Sequence, residues 1–242
     1  MTKLTTKLII PIPTGRMEES AYKLFATQGY GSEAYEKELR EIQSGKDSRK
    51  YDFEGDDAIF VRAKPADLPF IIDSGNADIT AVGNDCRLEY ELSNITSAGS
   101  MAGSGFKSAS LNEKCGFPKT RFCVIGNPEF QRIYEEMLKD NKAITIATEF
   151  PFLAQRYFGK KYPEAVFDIK GFNGKTENAI KYWGADAIFD IVGTGKTIEE
   201  NGLKIFEEAM TNPTKILAST ASLRKDERVR KLAQELVPGK IV

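Results

Sequence analysis

The chain has 242 residues, 41% of them hydrophobic, enough to bury a sizeable core in one large or two small domains. Its 34 Lys and Arg against 35 Asp and Glu leave a net charge of −1, which argues against nucleic-acid binding, and no stretch approaches the ~18 apolar residues of a membrane span. Histidine is absent, which removes imidazole catalysis; the three cysteines have no C-x-x-C spacing, so neither a zinc site nor a disulfide framework is suggested; and the N-terminal residues lack the pattern expected of a secretory leader.

In chain order, the first apolar run is Lys7 to Ile12, followed by Pro-Thr-Gly-Arg and a helical pattern. Residues 32–57 are charged throughout and read as solvated. Strands follow at Ala58 to Ala63 and Asp78 to Val82. Residues 92–114, rich in Ser, Gly and Asn, read as a mobile connection or a longer surface loop. Further strands are expected at Arg121 to Gly126, Ala143 to Ala147, Ala165 to Lys170 and Ala187 to Val192.

Between them, residues 128–140 read as a helix begun by Asn127 and Pro128, with Phe130, Ile133, Tyr134 and Met137 on its core face. At the C-terminus a strand precedes a helix whose Val229, Leu232, Ala233 and Leu236 share one face. Alternating strands and helices predict an α/β fold with mainly parallel sheets.

Residues 185–203 carry the strongest chemical signal. A strand ends at Val192, Gly193 and Gly195 interrupt it, and a helical pattern opens at Ile198. Free backbone N–H groups, the hydroxyls of Thr194 and Thr197 and the charge of Lys196 suit a phosphate. A nucleotide P-loop would need glycine five residues before Gly195, where Asp190 stands. Asp186 and Asp190 just ahead of the loop suit the vicinal hydroxyls of a sugar phosphate, pointing to ribose 5-phosphate. A Gly-rich connection without function is the competing reading.

This string resembles the signature of the ATP phosphoribosyltransferase family, and the chain's length after its last helix is similar to that of the family's short form. LIIPIPTGRMEES, residues 61–89, CGFPKTRFCVIGNP, ITIATEFPFLAQRYF and FNGKTEN are similar to further family segments in the same order. Departures are Thr14 for lysine, Thr145 for a basic residue, Lys175 for serine, and Ser219-Thr220 for Asn-Arg.

The resemblance implies two lobes like those of type II periplasmic binding proteins, with the active site in the interlobe cleft and no C-terminal regulatory domain. Lobe I would be residues 1–105 with 205–242, and lobe II residues 106–204. The implied reaction moves the phosphoribosyl group of 5-phosphoribosyl 1-pyrophosphate to N1 of ATP, the first step of histidine biosynthesis. Mg²⁺ would be held mainly through the substrate pyrophosphate, with no metal-ligating residue set of the protein's own.

Asp186 and Asp190 are the expected catalytic acids. Thr194, Gly195, Lys196, Thr197 and Arg16 are expected on phosphoribosyl pyrophosphate, and Asp78, Glu177 and Thr148 on the acceptor; Arg156 matches a further family position. A cytoplasmic hetero-oligomer with a subunit related to histidyl-tRNA synthetase is implied too. A phosphoribosyltransferase with another nitrogen-heterocycle acceptor and a non-catalytic two-lobe ligand-binding protein are the alternatives.

Overall fold

The computed structural model describes residues 7–46, 48–98, 104–112 and 115–241. The chain divides into two compact units, Met1–Pro118 with Pro213–Val242, and Lys119–Asn212.

In the first unit, β1 (Leu8–Pro13) runs parallel to β3 (Ala58–Ala63), and β2 (Asp52–Glu54) pairs antiparallel with β3. A second sheet has the order β4 (Ile79–Gly83), β11 (Thr214–Ser219), β5 (Phe106–Ser110), both pairings antiparallel. One core cluster gathers Leu8, Ile10, Ile12, Phe25 and Phe60 with Val229, Leu232 and Ala233 of α10 (Glu227–Leu236). Another gathers Leu68, Ile72, Val82, Phe106 and Leu217.

The charged segment is less solvated than its composition suggests. It forms α2 (Glu33–Gln43), capped by the Ser32 hydroxyl, which accepts the Tyr35 N–H. Tyr35 is fully buried and stacks on Phe53 of β2 with centroids 4.4 Å apart. Two apolar anchors at helical spacing, Tyr35 and Leu39, suffice to dock an otherwise polar helix.

The second unit is one five-stranded sheet in the order β10 (Lys204–Asn212), β6 (Thr120–Gly126), β9 (Ala187–Val192), β7 (Ile144–Thr148), β8 (Phe167–Gly171). β7 is parallel to β8 and β9, whereas β6 is antiparallel to both its neighbours. Phe122 and Phe189 stack at 5.0 Å, and Cys123, Ile125, Ile188 and Val192 form a further cluster. The expected helix is α5 (Phe130–Lys139), beginning two residues later than its Pro signal, with Phe130 buried.

Three expectations change. The sheets are less parallel than strand–helix alternation implied, because β10 and β11 return antiparallel to their neighbours. Residues 92–114 are not simply a connection: α4 (Asn84–Ala98) occupies their start and β5 pairs with β11, while 99–103 and 113–114 lie outside the described residues. The unit boundaries fall after 118 and 212, where the expectation placed them after 105 and 204, since β5 hydrogen-bonds within the first unit and β10 within the second.

Cys86, Cys115 and Cys123 are free thiols. Among the described residues no helix is long and apolar enough to cross a membrane.

Candidate functional site

Within the second unit, the parallel strands β7, β8 and β9 end at one edge of the sheet, so the connections that follow them lie together. In open α/β sheets the carboxyl edge is where ligands bind, because connecting loops and helix starts converge there. Residues 149–150, 172–176 and 193–195 are those connections.

After β9 the chain turns at Gly195, whose φ of +85° lies in the left-handed region that side chains rarely adopt. Its carbonyl accepts the N–H groups of Ile198 and Glu199, starting the short helix α8 (Lys196–Glu200). The N–H groups of Thr194, Gly195 and Thr197 take no carbonyl acceptor among the described residues. Thr194, Lys196 and Thr197 are exposed, and Lys196 Nζ lies 3.7 Å from Glu200. The front of the loop is clamped by Arg121, which donates to the Gly193 carbonyl at 2.9 Å and ion-pairs with Glu208 at 2.6 Å.

Asp190 stands on β9 two residues before the strand ends. Its Oδ2 accepts the Thr176 hydroxyl at 2.6 Å and its Oδ1 accepts the Ile191 N–H at 2.7 Å. Burial pushes its carboxyl up to about 6, with the carboxylates of Glu149 and Glu177 adding to the rise and the two hydrogen bonds opposing it. Glu177 opens α7 (Glu177–Tyr182), reached through Gly174 and Lys175, both at positive φ. Glu149 Oε1 lies 3.5 Å from where a Cβ on Gly174 would be, an ordinary contact that brings this carboxylate beside the turn.

The edge therefore joins an anion loop to an acidic group of three carboxylates. Of the expected site residues, Asp190, Glu177 and Thr194–Thr197 lie at this edge. Glu149, Thr176 and Arg121 are additions. None carries a local motif, and Arg121 reaches the loop only because β6 pairs antiparallel with β9, opposing Arg121 to Val192.

Three predicted site residues serve other ends. Asp186 precedes β9 at the end opposite the loop, and its Oδ2 accepts the Thr145 N–H at 2.8 Å while its own N–H donates to the Thr145 carbonyl at 2.9 Å. A strand of this length puts about 20 Å between Asp186 and Gly193, so one sugar phosphate cannot touch both. Thr148 is fully buried, its hydroxyl accepting the Phe150 N–H at 2.9 Å to shape the turn into α6 (Pro151–Lys161). Asp78, in the first unit, is also fully buried; its carboxylate accepts the Ile9 N–H at 2.7 Å and the Ser222 hydroxyl at 2.6 Å, joining three segments of the core.

Arg16 lies in the exposed turn after β1 and has no ion pair or hydrogen bond among the described residues. The turn is held from below. Glu18, 5% exposed at the start of α1 (Glu18–Ala26), pairs with Arg62 of β3 at 2.6 Å and accepts the Tyr35 hydroxyl at 3.0 Å.

The family model described as ATP phosphoribosyltransferase matches residues 64–237. The chain belongs to the ATP phosphoribosyltransferase family. A curated ATP phosphoribosyltransferase from Halalkalibacterium halodurans is 31% identical over 233 residues, 95% of each chain. Among solved structures, an ATP phosphoribosyl transferase (HisG:HisZ) complex from Thermotoga maritima is similar with a TM-score of 0.65 at 24% identity, covering 94% of this chain and 99% of that one. A Candida albicans protein described as having the generic periplasmic binding protein fold aligns with a TM-score of 0.53 at 14% identity, covering 96% of this chain and 70% of its own. The α/β architecture of the ATP phosphoribosyltransferase family, akin to periplasmic binding proteins, is thus the fold of this chain.

Enzymes of this family use a metal ion. Among the described residues no three His, Cys, Asp or Glu side chains gather to hold one. A divalent cation chelated by substrate phosphates needs no such cage, since Mg²⁺ usually keeps several waters and takes only one or two protein carboxylates.

Proposed function

We propose that the chain transfers the phosphoribosyl group of 5-phosphoribosyl 1-pyrophosphate to N1 of ATP, with residues 193–197 holding the 5-phosphate and Asp190 facing the ribose hydroxyls. The product is phosphoribosyl-ATP, and the reaction opens histidine biosynthesis. What carries this reading is the placement of Asp190 and the left-handed Gly195 turn at the ends of one strand and its loop, within a chain matched by the family over residues 64–237.

The chemistry asks little of an acid or base. The N1 lone pair of adenine forms the new bond to C1 as the bond from C1 to the pyrophosphate oxygen breaks, and pyrophosphate leaves with that electron pair. Mg²⁺ arriving on the pyrophosphate is the metal of this reading and eases the leaving of that charge. The chain supplies position and electrostatics. Backbone N–H groups and the Thr194 and Thr197 hydroxyls meet the 5-phosphate. Two of the roughly four acceptor sites of Asp190 are occupied by Thr176 and Ile191, leaving others for ribose hydroxyls. Its negative charge also favours the positive character that develops at C1.

Arg16 contributes a cation to the pyrophosphate or triphosphate, and Glu177 contacts the acceptor or ribose. The Thermotoga maritima structure supports assembly with a HisZ-type partner, for which a subunit related to histidyl-tRNA synthetase is the proposal. The test mixes the purified chain, with and without such a subunit, with Mg²⁺, phosphoribosyl pyrophosphate and ATP. Pyrophosphate release with a new nucleotide of the mass of phosphoribosyl-ATP is expected; failure to bind phosphoribosyl pyrophosphate would remove the loop assignment.

A further inference from the structure

Thr176 immediately precedes α7 at φ −58° and ψ −26°, a helical backbone rather than the extended one from which a threonine hydroxyl caps its own helix. Here it makes no such cap. The hydroxyl instead reaches across to the next strand and donates to Asp190 Oδ2 at 2.6 Å, from a residue only 3% exposed. The buried hydroxyl is thus engaged by an acid of another element and ties the start of α7 to β9.

We infer that Thr176 is a positioning residue for phosphoribosyl transfer, holding the Asp190 carboxylate in a single orientation through the hydroxyl bond. This inference rests on the reading of Asp190 as the ribose-facing group. With Ile191 N–H on Oδ1 and Thr176 on Oδ2, both oxygens are fixed, so the acceptor directions left for substrate are fixed too. A carboxylate held at one oxygen only would swing about its terminal torsion, which is broad and roughly two-fold.

The charges around Asp190 make the hydroxyl matter more. Glu149, after β7, and Glu177, on α7, both raise its pKa, and burial does so most. On the neighbouring β6, Cys123 is its register partner, while Arg121 is engaged by Gly193 and Glu208. Lys196 of α8 is exposed and faces Glu200. Among the described residues the bonds favouring the ionised carboxylate are those from Thr176 and Ile191, and only Thr176 can be changed without touching the backbone.

Thr176→Val removes the hydroxyl and keeps the branched shape; Thr176→Ser keeps the hydroxyl; Thr176→Ala serves as the second variant should valine disturb folding. The first measurement is the carboxyl carbon-13 titration of Asp190 in the full chain without substrate, assigned by its loss in Asp190→Asn. The second is phosphoribosyl pyrophosphate affinity by calorimetry, with KM and kcat across pH.

The expected result is a midpoint raised by about one unit in Thr176→Val, affinity for phosphoribosyl pyrophosphate reduced about tenfold near pH 7, KM for ATP unchanged, and near-complete recovery in Thr176→Ser. An unmoved midpoint, or a serine variant as impaired as valine, overturns the inference. A raised midpoint with undiminished phosphoribosyl pyrophosphate binding overturns it differently, by showing that Asp190 is coupled to Thr176 and does not serve the ribose; the loop assignment, tested by Thr194→Ala, would stand.

Discussion

The carboxylate of Asp186 and the N–H of Thr145 meet at 2.8 Å across the start of β9 and β7, forming a backbone clamp in which the Asp186 N–H answers the Thr145 carbonyl. Two acids four residues apart, one just before β9 and one on it, thus have separate duties. Asp186→Ala is expected to destabilise the fold by about 1.5 to 3 kcal/mol, the worth of a charge-assisted hydrogen bond, here at a half-buried site. Thermal unfolding should fall by a few degrees, and KM for phosphoribosyl pyrophosphate should stay within about twofold of the parent. A large rise in KM at unchanged stability would return Asp186 to the active site.

Asp190 should impose a pH dependence on catalysis. Its carboxyl titrates at about 6, so the anionic form that meets the ribose prevails above that value, and kcat/KM should climb with pH through this region before levelling. The 5-phosphate of the substrate also titrates near 6, so the control is Asp190→Asn. The variant should lose turnover by two orders of magnitude or more and retain only the substrate's own inflection; an unchanged profile would detach the rise from Asp190.

The same carboxylate works against the fold. A carboxyl whose native pKa is raised from 3.8 to about 6 binds its proton more tightly in the folded state. Its stabilising contribution is complete below pH ~4 and is lost as pH rises to about 6, a penalty on the order of 3 kcal/mol at neutral pH. Asp190→Asn can keep both local hydrogen bonds, donating to Thr176 Oγ1 and accepting from Ile191. Its unfolding midpoint in denaturant should be higher than the parent's at pH 8 and nearly equal at pH 4.

Arg16 makes the opposite test, since it is exposed and unpaired among the described residues while the turn beneath it is secured by the Glu18–Arg62 pair. Arg16→Ala should leave thermal unfolding unchanged and weaken binding of a phosphate-bearing substrate by roughly 10- to 100-fold, as loss of a charge-assisted contact of about 1.5 to 3 kcal/mol requires. Calorimetry with each substrate separately will tell which one it serves.

How far the sequence could be read depended on whether the signal was local. The strand at Ala187–Val192 and the glycine turn after it are adjacent in sequence, so composition and order were enough to find them. The anchors of α10 were legible for the same reason, four apolar residues at helical spacing. For Asp186 and Asp78 the sequence is silent about their backbone partners, because an acid near a strand end looks alike whether it meets a ligand or a backbone N–H from a strand 41 or 69 residues away. Thr176, Glu149 and Arg121 gained their significance only through pairing. β5 and β2 lie in segments whose polar composition reads as loop, yet each adds an edge strand to a sheet whose neighbour supplies the apolar face.

The chain enters the second unit on β6 and leaves it on β10, and these strands are antiparallel partners whose last registered pair is Thr120 with Asn212. The Asn212 amide donates to the Thr120 hydroxyl at 3.1 Å, and prolines at 118 and 213 bracket the crossing. Both ends of a 94-residue insertion therefore meet within about 5 Å, the spacing of paired strands. The insertion behaves as a cassette with a single doorway: its loops can lengthen, shorten or change their residues without altering the distance that the first unit must bridge between Pro118 and Pro213. Substitutions in the phosphate loop are in this way free to tune chemistry while β5, β11 and β4 keep their partners.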